Sequence, residues 1–256
     1  LFSNNNKDKI TVNLGVESYS PKVYFKKIEY LINEGFEFER IIIFLDLGDI
    51  FDENLYFFDE KNNLNKKGTI KAINTIYQDF DNLYKFKKIL KDILPVNYYF
   101  YRNLKKTFFN FSNNKKNLLI ENYKDNLLIN SRWTYENNFS KKDSPWIKNG
   151  VKDSKIYLDK IFDLSKSNNF KISLAVYPWP AQIMFDEDTG RNKFGKVWEE
   201  YCLGKCEYFI NFLEEFHILK TQLGNIEVKK NFYLKDDVHF NKEGNIFIYN
   251  SLKEVF

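Results

Sequence analysis

The sequence has few of the features that mark several common classes of protein. It contains two histidines, two cysteines and one methionine, and no apolar run approaches the roughly 20 residues that a membrane span needs. The 39 basic and 35 acidic residues are interleaved, which excludes the basic stripe of a nucleic-acid-binding protein. Because 43% of the residues are hydrophobic, a mainly disordered chain is also excluded, and a globular fold is expected.

The chain begins at Leu1, and its first residues have neither the charged region nor the apolar region of a signal peptide. We therefore expect an N-terminally truncated fragment, whose missing leader or anchor stays undetermined. Membrane contact is expected only through that missing N-terminus or through the central insertion described below.

Apolar runs and amphipathic stretches alternate in the first part of the chain. Lys9–Gly15 is rich in β-branched residues and is typical of a strand. Lys22–Glu34 has the spacing of an amphipathic helix, which Gly35 is suited to cap. Arg40–Asp46 is apolar on both faces, as in a buried parallel strand.

The same alternation returns downstream. A helix is predicted over Lys152–Ser167, a strand over Phe170–Tyr177, a short strand over Ile226–Phe232 and a closing helix over Lys242–Val255. This order predicts an α/β fold with a parallel sheet and helices on both faces, in three α/β/α layers.

The middle of the chain, residues 52–149, contains no comparable buried strand, and we interpret it as a helical, aromatic insertion in a single domain of residues 1–256. Within it, Asn82–Phe111 predicts one or two helices dense in Tyr, Phe and Lys. This segment is suited to three roles: a lid over a site, an interfacial membrane helix, or additional core.

The most specific local pattern is D-x-x-H, formed by Asp236 and His239 before the last helix. A carboxylate that accepts a hydrogen bond from one ring nitrogen leaves the other nitrogen as a general base toward a hydroxyl nucleophile. An Asp and a His near a helix N-terminus also serve as an ordinary cap. The other histidine, His217, lies in an apolar, helix-like context and is interpreted as structural.

Three segments together resemble the sequence blocks of the SGNH/GDSL hydrolases, and they occur in the family's order. Val12–Ser20 resembles the second block, Leu45–Ile50 the third (G-x-N-D), and Asp236–His239 the last. The resemblance covers both ends of the chain but not the insertion. It implies a three-layer, flavodoxin-like α/β/α domain that needs no cofactor and no metal.

The resemblance also implies the site residues. His239 and Asp236 correspond to the catalytic base and its carboxylate, whereas the first block, with the nucleophilic Ser, would precede Leu1. The loops that form the oxyanion hole correspond to four residues here, and at the position of the family's oxyanion-hole Asn this sequence has glycine. These four residues are Gly15, Ser18, Gly48 and Asp49.

Two other patterns leave alternatives open. Trp179 and Gln182 follow a predicted strand and are suited to contact a sugar ring, but ordinary packing explains them equally well. The acidic residues Asp46, Asp49 and Asp52 are compatible with a cation site. The third block and loop solvation explain the same acids, so no metal is predicted.

Cys202 and Cys206 are separated by a glycine-containing triplet, which makes a small disulfide loop feasible in an oxidising compartment. Such a bridge favours a cell-envelope, periplasmic or extracellular location, whereas two reduced thiols favour the cytoplasm. We expect the disulfide and, with it, a cell-envelope, periplasmic or extracellular location.

Together these patterns predict an SGNH-type ester hydrolase or O-acyltransferase. The expected substrate is an acylated carbohydrate of the envelope or exterior, or a small ester. The alternative is a catalytically inactive SGNH-like module that binds carbohydrate or serves in assembly.

Overall fold

The computed structural model of this protein describes residues 10–16, 18–66, 131–135, 145–186, 193–235 and 237–256. The chain divides into two compact units, one formed by Leu1–Asn65 with Ile129–Phe256 and the other by Lys66–Leu128. The second unit lies outside the described residues except for Lys66, and so do the helices predicted within Asn82–Phe111.

The described strands are β1 (Arg40–Leu45), β2 (Tyr56–Phe58), β3 (Leu64–Lys66), β4 (Lys171–Val176) and β5 (Phe209–Asn211). Strands β1, β4 and β5 form a parallel sheet in the order β1-β4-β5, while β2 pairs with β3 in a two-stranded sheet. The predicted α/β class with a parallel sheet is therefore confirmed.

Along the chain, the described helices precede, separate and follow the strands of this sheet. They are α1 (Pro21–Asn33), α2 (Leu47–Glu53), α3 (Pro145–Asn168), α4 (Pro180–Phe185), α5 (Lys193–Cys202), α6 (Phe212–Leu223), α7 (Asn225–Phe232) and α8 (Lys242–Val255), with a 3₁₀ turn at Arg132–Thr134.

Helices α1 and α8 and strands β1 and β4 fall close to their expected bounds because their signals are local, whereas α3 begins at Pro145, seven residues before its predicted start at Lys152 and inside the predicted insertion. Helix α1 begins with Pro21 in its first turn and ends before Gly35, whose φ of +88° is the left-handed conformation expected of a glycine cap. Strands β1 and β4 pair in parallel from Arg40 opposite Lys171 to Leu45 opposite Val176.

Two predicted strands are wrong. Residues 10–16 form no strand, because no described residue pairs with them in a sheet. Ile226–Phe232 forms helix α7, which begins after Gly224 at a φ of +83°. Glu227 in its first turn and Lys229 and Lys230 in its last turn complement the helix dipole, which outweighs the apolar residues that suggested a strand.

One face of the parallel sheet packs against the C-terminal helices. Ile42 and Phe44 of β1 lie against a buried cluster in which aromatic rings from α6, α7 and α8 interlock. The buried members of the cluster are Ala175, Ile183, Ile210, Phe212, Phe216, Val228, Tyr233, Ile248 and Leu252.

Within the described ranges, β1 has a neighbouring strand on one edge only. The amides of Lys171 and Tyr177 donate to the carbonyls of Glu39 and Leu45, so alternate residues of β1 direct their backbone groups toward β4. Ile42, between them, directs its N–H and C=O toward the open edge. A strand whose sequence is typical of a sheet interior therefore lies at the edge of this sheet.

The two cysteines form the predicted disulfide. Cys202 ends α5, and its Cα lies 5.1 Å from that of Cys206. None of the described helices is both long enough and apolar enough to cross a membrane.

Candidate active site at the carboxyl end of the sheet

Two aspartates and two tyrosines form a hydrogen-bonded cluster where β1 and β4 end, which we call the strand-end cluster: Tyr24, Asp46, Asp49 and Tyr177. Asp46 follows β1 and caps α2, since its Oδ1 accepts the amides of Gly48 at 2.6 Å and Asp49 at 3.3 Å. Asp49 reciprocates, because its Oδ2 accepts the amide of Asp46 at 2.7 Å.

The tyrosines complete the cluster from opposite sides. The Tyr24 hydroxyl, on α1, donates to Asp49 Oδ1 at 2.5 Å, and the Tyr177 hydroxyl, just after β4, donates to Asp46 Oδ2 at 2.6 Å. Burial and then the charge of Asp46 raise the pKa of Asp49 well above its ordinary value. Burial also raises the pKa of each tyrosine, reinforced by the carboxylates, so both phenols stay neutral donors.

His239 lies in a loop beside this cluster, residues 233–240. An antiparallel bridge between Tyr233 and Phe240 closes the loop, and the Leu234 amide donates to the His239 carbonyl at 2.9 Å. The Phe240 ring packs on the Tyr177 ring with centroids 5.5 Å apart, so the loop adjoins the carboxyl end of β4. Parallel sheets bind their ligands at this edge.

The His239 ring is paired with a carboxylate in this loop. Its Nδ1 lies 2.6 Å from Oδ1 of Asp237, and the side chains are 56% and 43% exposed. Partial burial opposes ionisation of Asp237, but hydrogen bonds from His239 and from the Val238 amide lower its pKa below the ordinary value. Asp236, the carboxylate predicted for this role, lies outside the described residues.

The two predicted residues of the first oxyanion loop differ in backbone conformation and contacts. The Gly15 amide donates to the Asn13 side chain at 2.9 Å. Ser18 has a φ of +60°, an uncommon left-handed conformation for a residue other than glycine, and its carbonyl accepts the Tyr56 hydroxyl at 2.8 Å.

The two predicted residues of the second oxyanion loop, Gly48 and Asp49, both donate their amides to Asp46 of the strand-end cluster. The amides of Gly48 and Asp49 both point at Asp46 Oδ1, which they cap. In this arrangement neither amide is directed at a substrate oxygen. Gly48 is also confined, because an added Cβ would lie 2.9 Å from the same Asp46 oxygen and 3.4 Å from the Trp179 ring.

Trp179 and Gln182, the predicted substrate contacts, are both buried. Gln182 Oε1 accepts the Trp179 amide at 2.8 Å at the start of α4, and Gln182 Nε2 donates to Thr134 at 3.3 Å. The structure therefore shows both residues in a packing and capping role, and their contact with a substrate stays a prediction.

The remaining acidic residues near β1 do not converge on a cation position. Glu53 is fully buried, and its Oε2 accepts the Lys22 amide at 3.0 Å, while the Lys22 ammonium lies 3.6 Å from Oε1. The residues that the structure describes contain no group of three or more His, Cys, Asp or Glu side chains arranged to hold a metal.

Three residues of the site were missed by the sequence analysis. Asp237 was overlooked because the D-x-x-H pattern drew attention to its neighbour, although a carboxylate two residues before a histidine also reaches the ring. Tyr24 and Tyr177 carried no local signal, since 17 tyrosines in the chain make any one of them unremarkable in sequence. Their significance depends on the tertiary packing of α1 and β4 around the end of β1.

Comparisons of the chain with family models, with curated proteins and with solved structures found no match.

Proposed function

We propose that this chain is part of an SGNH-type hydrolase or acyltransferase that cleaves or transfers O-acyl groups of an envelope or extracellular carbohydrate. The observation that carries the proposal is the Asp237–His239 pair, 2.6 Å apart and accessible to solvent beside the carboxyl end of β4. The parallel α/β fold, with loops at that edge, is compatible with a three-layer SGNH-like domain.

The chemistry assigned to His239 follows from this pairing. A carboxylate on Nδ1 fixes the tautomer in which Nε2 is unprotonated, so Nε2 accepts a proton from a serine hydroxyl. The serine oxygen then bonds to the carbonyl carbon of the ester, the alcohol leaves with a proton returned by the imidazolium, and water or an acceptor hydroxyl releases the acyl group. The proposed serine belongs to a Gly-Asp-Ser block, a motif that residues 1–256 do not contain.

The competing proposal is an SGNH-like module that binds carbohydrate without cleaving it. The occupied amides of Gly15, Gly48 and Asp49 favour this candidate, because they donate within the protein. Loss of a single oxyanion donor lowers kcat by about 10²- to 10³-fold.

Ester hydrolysis distinguishes the two candidates. We expect no turnover of para-nitrophenyl acetate or of an acetylated polysaccharide by this chain alone, and turnover by a polypeptide extended with its native upstream sequence. In that longer protein, His239→Ala should lower kcat by about 10³-fold or more, as removal of a triad member does. His217→Ala, which removes the other histidine, should leave kcat unchanged.

Heat-denatured protein provides the blank for both substrates. Hydrolysis by the chain alone that persists in His239→Ala would contradict the mechanism. An extended polypeptide that contains Gly-Asp-Ser, folds and binds the polysaccharide without hydrolysing it would instead support the binding module.

A further inference from the structure

Tyr177 is the residue through which the strand-end cluster contacts the loop of His239. Its hydroxyl donates to Asp46 Oδ2 at 2.6 Å, and its ring packs against Phe240, the residue that follows His239. The same ring lies edge-on to Phe44 of β1 with centroids 6.4 Å apart. One side chain at the end of β4 therefore touches the end of β1 and the loop of the proposed base.

The 233–240 loop has a second attachment to the same segment of chain. The Tyr233 hydroxyl donates to the carbonyl of Pro178 at 2.8 Å, and its ring packs on Phe240 with centroids 4.8 Å apart. Tyr233 is 3% exposed, so this hydrogen bond is shielded from water. The two attachments differ in kind, because the Tyr233 ring also packs on Phe216 of α6, whereas the Tyr177 hydroxyl donates to Asp46 at the end of β1.

We infer that Tyr177 is a positioning residue, which couples Asp46 to the His239 loop and thereby sets where His239 meets the carboxyl end of the sheet. This inference rests on the proposed function for its catalytic consequence, but not for the coupling itself. The hydrogen bond to Asp46 anchors the hydroxyl end of the phenol and thereby restricts the tilt of the ring against Phe240. A carboxylate acceptor makes this a stronger restraint than a neutral one.

Two matched variants isolate the coupling. Tyr177→Phe keeps the ring on Phe240 and removes one phenol-to-carboxylate hydrogen bond from the strand-end cluster. Tyr24→Phe removes the corresponding hydrogen bond to Asp49 from the same cluster, but Tyr24 lies on α1 and no described contact joins it to the 233–240 loop. A difference between the two variants therefore reports on the loop rather than on loss of the cluster in general.

The local measurement is hydrogen exchange of the Leu234 amide, which donates to the carbonyl of His239. We expect Tyr177→Phe to speed this exchange by about tenfold, and Tyr24→Phe by less than about twofold, with amides of α3 unchanged in both. NMR of the imidazoles provides a second signature, because the chain has two histidines and His217 serves as the internal reference. The His239 signals should shift in Tyr177→Phe alone.

Kinetics of the extended polypeptide test the catalytic consequence. Tyr177→Phe should lower kcat by about tenfold with KM unchanged, whereas Tyr24→Phe should lower kcat by a clearly smaller factor. Equal effects of the two variants on Leu234 exchange, or no effect of either, would overturn the coupling. If the extended polypeptide has no activity, the proposed function fails, while Leu234 exchange still decides the coupling.

Discussion

The strand-end cluster and the His239 loop place the same kind of group, a carboxylate with a nearby hydrogen-bond donor, in opposite environments. In the cluster, the carboxylate oxygens of Asp46 and Asp49 accept hydrogen bonds from backbone amides and tyrosine hydroxyls of the protein itself. In the loop, Asp237 binds one nitrogen of a ring that is 56% exposed. The closely spaced Asp46 and Asp49 therefore form a structural cap, whereas the His239 ring beside Asp237 stays accessible to solvent.

Electrostatics separates the two regions in the same way. Burial raises the pKa of Asp49 well above its ordinary value, whereas the hydrogen bonds from His239 and Val238 overcome partial burial and lower the pKa of Asp237. An ionised carboxylate next to an imidazole stabilises the imidazolium that forms during proton transfer. The proposed base therefore lies beside the carboxyl whose pKa is lowered.

The largest effect expected from this comparison concerns which aspartate supports His239. In the extended polypeptide, Asp237→Asn should lower kcat/KM by about 10³-fold, because the amide no longer fixes the imidazole tautomer. Asp236→Asn should lower kcat/KM by less than tenfold. Initial rates on the acetylated polysaccharide measure both. If Asp236→Asn has the larger effect, the D-x-x-H spacing, and not the Asp237 contact, identifies the partner of His239.

A smaller effect, on the free energy of unfolding, is expected from a substitution in the strand-end cluster. Asp46→Ala removes the acceptor of two amides and of the Tyr177 hydroxyl, and should lower the free energy of unfolding by about 2–3 kcal/mol. Asp237→Ala, at an exposed position, should change it by less than about 0.5 kcal/mol. Urea denaturation measures both values. A similar loss in the two variants would remove the structural distinction between the regions.

The smallest effect is a difference in pH dependence. Because the folded pKa of Asp49 is raised, its contribution to stability is complete below the ordinary carboxyl pKa and is lost as the pH rises through the raised value. Relative to the parent, Asp49→Asn should therefore gain stability as the pH rises from the ordinary carboxyl pKa to the raised value, by up to about 1.4 kcal/mol per pH unit.

The control for this measurement is Asp59→Asn. Hydrogen bonds from the amide and the side chain of Asn63 lower the pKa of Asp59, so its carboxyl stays ionised over the same range and its replacement should give a constant offset from the parent. Urea denaturation at each pH gives both curves. Parallel curves for Asp49→Asn and the parent would contradict a raised pKa at Asp49.

Local sequence signals predicted much of the sheet and its long helices, as β1, β4, α1, α3 and α8 show. The predictions failed where contacts with residues distant in the sequence decide the structure. Residues 10–16 have the composition of a strand but pair with no described strand, and the three residues of β5 are too few for a periodic signal. Helix α2 was missed because its apolar residues continue directly from β1 across Asp46.

The candidate site shows the same limit. Sequence pattern singled out His239 and the segment around Asp46, since both lie in short motifs with a known spacing. It could not distinguish a carboxylate that caps a helix from one that faces solvent, because that distinction depends on burial. Nor could it join Tyr177 to Asp46, which are separated by 131 positions in the chain.

The edge of β1 that faces away from β4 has a consequence for how this chain behaves in solution. Among the described residues no strand pairs with that edge, and apolar side chains such as that of Ile42 border it. Unpaired strand edges of this kind are templates for pairing between copies. We therefore expect concentration-dependent association, measured by light scattering, and a chain that stays monomeric at every concentration would show that the edge is covered.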